Sequence, residues 1–220
     1  SYRRNSSEFL TELGSHPFAM IEAHVPLEKK TFYQELRAVS TGDGPLSWIV
    51  GASYLRAQFD GGLFTTLVRP LIVELPSGTG GYVVKNWSAY AQFGYDLTEQ
   101  LNLTVSGRYI DEKNNARSLN PLNGRTDTFL LKESKFLPSA TLSYKLDGGG
   151  NVYARWARGF KAGGIVPVVP LSIFPDPFTQ GGAFKGEEVD TFEVGVRAPL
   201  MDRKVQVTAA FFYNDYRNVQ

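Results

Sequence analysis

Apolar and polar residues alternate with a period of two along most of this chain. The clearest segment runs from Trp87 to Thr98. Trp87, Ala89, Ala91, Phe93, Tyr95 and Leu97 fall on one face, and Ser88, Tyr90, Gln92, Gly94, Asp96 and Thr98 on the other. The pattern resumes after a tight link at Thr98-Glu99-Gln100, with Leu101, Leu103, Val105, Gly107 and Tyr109 opposing Asn102, Thr104, Ser106 and Arg108. Two alternating runs joined by so short a link predict an antiparallel hairpin. Similar runs occur at Lys135 to Leu146, Thr191 to Ala198 and Val205 to Asn214, with weaker ones at Thr31 to Ser40, Leu46 to Phe59 and Asn151 to Phe160. The expectation is about eight strands.

A half-buried soluble sheet also alternates, so two further features decide the class. Trp87 and Tyr95 share a face, as do Phe136 and Tyr144. Their eight-residue spacing covers roughly 26 Å of strand, or roughly 20 Å along a membrane normal at a tilt of ~40°, close to the ~25 Å apolar band that aromatic girdles flank in membrane barrels. The connections also alternate in length. Thr41 to Pro45, Thr98 to Gln100, Asp147 to Gly150 and Pro199 to Arg203 are short, whereas Asp60 to Asn86, Lys113 to Leu131 and Lys161 to Glu187 are long. Short turns on one side and long loops on the other fit an antiparallel transmembrane β-barrel.

Composition removes other classes. No apolar run reaches the ~18 residues of a membrane-spanning helix. The net charge of +1 is spread along the chain, which argues against a nucleic-acid partner. Cysteine is absent, so no disulfide framework or thiolate metal site is expected. No apolar leader follows Ser1-Tyr2-Arg3-Arg4-Asn5, so the sequence reads as a mature or internal piece of a longer chain.

Several segments together resemble one family. They are Tyr33-Gln34-Glu35-Leu36-Arg37 with Trp48-Ile49-Val50-Gly51 and Tyr54, and Ala89 to Phe93 with Gly107-Arg108-Tyr109. Val152-Tyr153-Ala154-Arg155 with Arg158 to Gly164, then Glu187 to Arg197 and Ala209 to Tyr216, complete the set. Their order and spacing resemble the barrel of TonB-dependent outer-membrane receptors. The resemblance implies an all-β fragment of a larger barrel of about 22 strands, with residues 1–220 a partial barrel and residues 1–30 an extracellular loop. The family's plug domain, TonB-contacting segment and closing C-terminal strands are expected to lie outside this sequence. The implied function is uptake of a scarce nutrient, foremost a ferric siderophore, driven by TonB. The implied partners are outer-membrane lipid, the TonB complex and a small-molecule metal chelate, in the outer membrane of a Gram-negative bacterium. A passive porin and a soluble or adhesive β-sandwich are the alternatives.

Glu35, Arg37, Arg108, Arg155, Glu193 and Arg197 are expected to face the lumen, as a wall contacting plug or ligand or simply as ion pairs between neighbouring strands. Gly159, Gly163 and Gly164 read as a flexible rim, because no helix follows to supply the amides of a phosphate site. His16 and His24, with Glu8, Glu12, Glu22 and Glu28, match no compact ligand set, so no metal and no cofactor are expected. No Ser-His-Asp order or nucleophile elbow occurs, and no enzyme activity is expected. The proline-rich stretch Ile165 to Phe178 reads as a ligand-gripping loop or a stiff segment over the barrel mouth.

Overall fold

Alternation this extended can only be satisfied by strands that keep one register over their whole length. The computed structural model describes residues 1–16, 19–67, 73–119, 124–166, 182–201 and 204–219. The strands are β1 (Tyr2–His16), β2 (Ala19–Val39), β3 (Leu46–Leu67), β4 (Val73–Asp96), β5 (Leu101–Leu119), β6 (Thr126–Lys145), β7 (Asn151–Lys161), β8 (Gly164–Val166), β9 (Gly182–Phe184), β10 (Glu187–Leu200) and β11 (Val205–Arg217). Nine of them form one open sheet in the order β1-β2-β3-β4-β5-β6-β7-β10-β11, and β8 and β9 pair separately. Every ladder is antiparallel.

The sheet differs from the expectation at its long-loop end. Residues 1–30, expected as a loop, are β1 and the first half of β2, paired from Tyr2↔Phe32 to His16↔Ala19. The long connections expected at 60–86 and 113–131 are likewise mostly strand, since β3 and β4 stay paired up to Leu67↔Val73 and β5 and β6 up to Leu119↔Thr126. These strands run to 22 and 24 residues in β3 and β4, about twice the ~9–11 that cross a bilayer. Strand beyond that length need not keep one apolar face, so the extensions left no periodic signal. The proline-rich stretch lies mostly outside the described residues, which stop at Val166 and resume at Gly182.

At the opposite end the short turns are tied together. The Lys145 amide donates to the Gln100 carbonyl at 2.8 Å and the Asp96 amide to the Pro45 carbonyl at 2.9 Å. The Gln100 side chain donates to Asp147 at 3.0 Å and accepts from the Tyr144 hydroxyl at 2.8 Å. The turns of β2–β3, β4–β5 and β6–β7 are thus linked in series. Higher up, the β6–β7 ladder ends at Ser139↔Ala157, directly beside Pro138, which has no N–H to continue it. The β8–β9 hairpin enters above this point, its ends held by Glu133, which accepts from the amides of Gly163 and Gly186 at 2.7 Å each.

Cross-strand register sorts the side chains into two faces. One carries Leu36, Trp48, Val50, Tyr54, Trp87, Phe93, Tyr95, Leu103, Val105, Tyr109, Phe136, Leu142, Tyr144, Phe192, Val194 and Phe211. Most of these residues stand out into solvent: Trp87 is 59% exposed, Phe136 60%, Phe211 74% and Leu36 80%. Among the described residues no large side chain is fully buried, and the other sheet consists only of the three-residue strands β8 and β9. A sandwich would need a second sheet over this apolar face, and none of the described residues supplies one.

Candidate functional site

The opposite face holds the polar residues, and all six charged candidates lie on it. They divide into two groups. In the first, register places Arg37, Gly51, Tyr90 and Arg108 side by side across β2–β5, with Glu35, Ser53 and Ser88 in the adjoining row. The Tyr90 hydroxyl donates to Glu35 at 2.6 Å and the Tyr33 hydroxyl donates to its other oxygen at 3.0 Å. Tyr90 reaches Glu35 by lying across β3, which is possible because residue 51 has no side chain. A Cβ there would stand 2.6 Å from the Tyr90 ring. Arg108 donates to the Ser88 hydroxyl at 2.9 Å, and Ser88 meets the buried Ser53 hydroxyl at 2.8 Å. Because Ser88 accepts from a guanidinium, its own proton is free to go to Ser53.

The second group repeats the device on β7 and β10. Tyr153 lies over Gly195, where a Cβ would meet its ring at 2.6 Å, and donates to Glu193. Arg155 is the register partner of Glu193, and the Arg197 guanidinium sits 5.7 Å from the Tyr153 ring centre. The carboxylates are therefore held by tyrosine hydroxyls, where the sequence suggested strand-to-strand ion pairs. Arg37 and Arg108 act on Glu35 through their charge. The arrangement presents anchored hydrogen-bonding groups and guanidinium charge along one wall.

Sequence reasoning missed a further part of this face, on the long-loop side of Trp87. Phe59 and Tyr82 stack at 4.2 Å with planes 14° apart, and Lys29 stands 5.0 Å from the Phe59 ring. Burial pushes the Tyr82 phenol above its ordinary value. Next to them Asn86 and Asn114 donate to the two oxygens of Glu112 at 2.9 and 3.2 Å. The available signal was register: Phe59 and Tyr82 become neighbours only once β3 and β4 are extended past the apolar band. His24, weighed above as a metal ligand, pairs with Glu8 across β1 and β2.

Comparison with known proteins agrees with this architecture. The family profile described as the TonB dependent receptor-like β-barrel matches residues 2–220. The pesticin receptor of Yersinia enterocolitica is 26% identical over 208 residues, which are 93% of this chain and 29% of that protein. Among solved structures, the ferric yersiniabactin uptake receptor of Yersinia pestis superposes with a TM-score of 0.76 at 20% identity, over 100% of this chain and 34% of its own. The ferripyoverdine receptor of Pseudomonas aeruginosa gives 0.60 at 16% identity, over 96% and 29%. The chain thus spans about a third of the length of the proteins it resembles.

Proposed function

The chain belongs to the TonB-dependent receptor β-barrel family, and on that premise we propose that it is one section of the barrel wall of an outer-membrane receptor that imports a scarce nutrient, foremost a ferric siderophore. The observation that carries this is the exposed apolar face bounded by aromatic rows, backed by a wall of anchored charge. Lipid covers the first, and the second lines the lumen and meets plug or ligand. Similar proteins are receptors for siderophores by their names, which favours a metal chelate over other solutes. Guanidinium charge at Arg37, Arg108, Arg155 and Arg197 suits an anionic chelate, and the Phe59–Tyr82 stack suits one with aromatic rings. TonB supplies the energy for that import.

The test uses the full-length receptor in an iron-starved strain lacking it. Uptake of radioiron as the chelate should be saturable and should stop when TonB is removed. Uptake that continues unsaturated without TonB would mean a passive pore and would overturn the proposal.

A further inference from the structure

One row of the apolar side ends in charge. On the face that carries Tyr54 and Trp87, the next outward position on each strand is Arg56 on β3, Lys85 on β4, Lys113 on β5 and Lys132 on β6. Register makes them direct cross-strand partners, Arg56↔Lys85, Lys85↔Lys113 and Lys113↔Lys132. All four are exposed. Like charges directly opposite one another weaken a sheet, so an uncompensated row of four is costly as it stands.

Among the described residues no partner compensates it. Among the described residues none of the four forms an ion pair or a side-chain hydrogen bond. The nearby carboxylates are engaged elsewhere: Asp111 accepts from Ser134 at 2.9 Å, Glu112 from Asn86 and Asn114, and Glu133 from the Gly163 and Gly186 amides. On the same face of β7, β10 and β11 charge is handled differently. There Arg158 binds Asp190 through two bonds of 2.9 Å, and Arg217 adds a third at 2.7 Å.

We propose that the Arg56–Lys85–Lys113–Lys132 row docks the phosphate groups of the lipid headgroups around the barrel. Resting on the membrane orientation given above, this places the row just outside the Tyr54–Trp87 pair, whose rings are 4.7 Å apart. That is the depth at which aromatic girdles meet headgroups. Clustered basic residues at that depth bind anionic headgroups, and phosphates between the side chains turn mutual repulsion into shared attraction. The row would hold annular lipid in place on one sector of the barrel.

The experiment reconstitutes the full-length receptor and its Lys85→Gln/Lys113→Gln/Lys132→Gln variant into phosphatidylcholine vesicles. The vesicles contain either diphosphorylated lipid A or the same lipid with its phosphates removed. Retained lipid and the heat-unfolding midpoint are read in each. Phosphorylated lipid should raise the wild-type midpoint and stay bound through detergent washing, with retention falling at least about fivefold per charge removed. In dephosphorylated lipid the variant should be no less stable than wild type, because repulsion has been relieved. A Lys→Arg version of the triple variant should behave as wild type, and Lys113→Gln alone gives the same reading if the triple variant does not fold. Equal retention by wild type and variant, both folded, overturns this inference and leaves the receptor reading standing. An equal gain from free inorganic phosphate also overturns it, as the site would then be a simple anion site. Loss of the wild-type barrel from the outer membrane would overturn the receptor reading itself.

Discussion

Val105→Arg tests the orientation on which the functional reading depends. Val105 pairs with Phe93 and Ala140 on the apolar face and is 42% exposed. Four residues to one side the row is Tyr109↔Phe136, and four to the other it is Leu101↔Tyr144. Val105 is therefore midway between the aromatic rows, ~13 Å from each along the strand at ~3.3 Å per residue. An arginine at the midplane of a barrel costs roughly 2–4 kcal/mol, and the central position selects the upper part of that range, since snorkelling to either side is longest there. Each ~1.4 kcal/mol is tenfold, so about 3–4 kcal/mol should lower the folded-to-unfolded ratio roughly 140- to 700-fold. Thr104→Arg is the comparison, because Thr104 lies on the opposite face and donates to Asn102 at 3.0 Å. The assay is the heat-modifiable, folded fraction of full-length receptor in outer-membrane preparations. Val105→Arg should deplete it and Thr104→Arg should leave it near normal. Equal depletion by both would refute the assignment of one face to lipid and the other to a wet lumen.

Three further outcomes follow from the same geometry. Gly51→Ala should lower receptor stability by about 1–3 kcal/mol through overpacking against Tyr90, and the loss should largely vanish in a Tyr90→Ala background; equal losses in both, read by thermal unfolding, would contradict the packing argument. Phe59→Ala and Tyr82→Ala should weaken binding of an aromatic chelate to purified receptor without lowering its abundance in the outer membrane, and unchanged affinity in calorimetry would remove the stack from the site. Residues 1–220 alone leave β1 and β11 as open edges, which lipid does not tolerate, so the isolated piece should aggregate in detergent; a protease-resistant, heat-modifiable monomer would contradict this.

The central stretches of β3–β7, β10 and β11 were legible because each has an apolar and a polar side, and a period of two is the direct imprint of that asymmetry. Trp87 to Asp96 and Leu101 to Tyr109 gave both the hairpin and the correct faces. β1 was not legible. Arg3, Arg4, Asn5, Ser6, Ser7 and Glu8 place polar groups at successive positions, so only pairing with β2 identifies the strand. The six charged candidates fell on one face as alternation required. Their partners depended on a different kind of information: Tyr90 and Glu35 are 55 residues apart and meet across a strand that neither belongs to. Gly51 is the trace such a crossing leaves in sequence, legible only when the facing aromatic is known.

The cross-linked turns have a mechanical consequence. Gln100 alone joins the β4–β5 turn to the β6–β7 turn through three hydrogen bonds, two from its side chain and one from its carbonyl. That end of the sheet is thereby stiffened between β4 and β7. At the other end the β2–β3 and β4–β5 ladders continue to Ile21↔Leu67 and Thr79↔Leu119, so β1 to β6 stay one sheet, and the seam that opens is β6–β7, above Pro138. A load applied to such a wall is not shared evenly. The tied end keeps its strand spacing, and the sheet yields first along the β6–β7 seam, where the backbone ladder stops at Ser139↔Ala157.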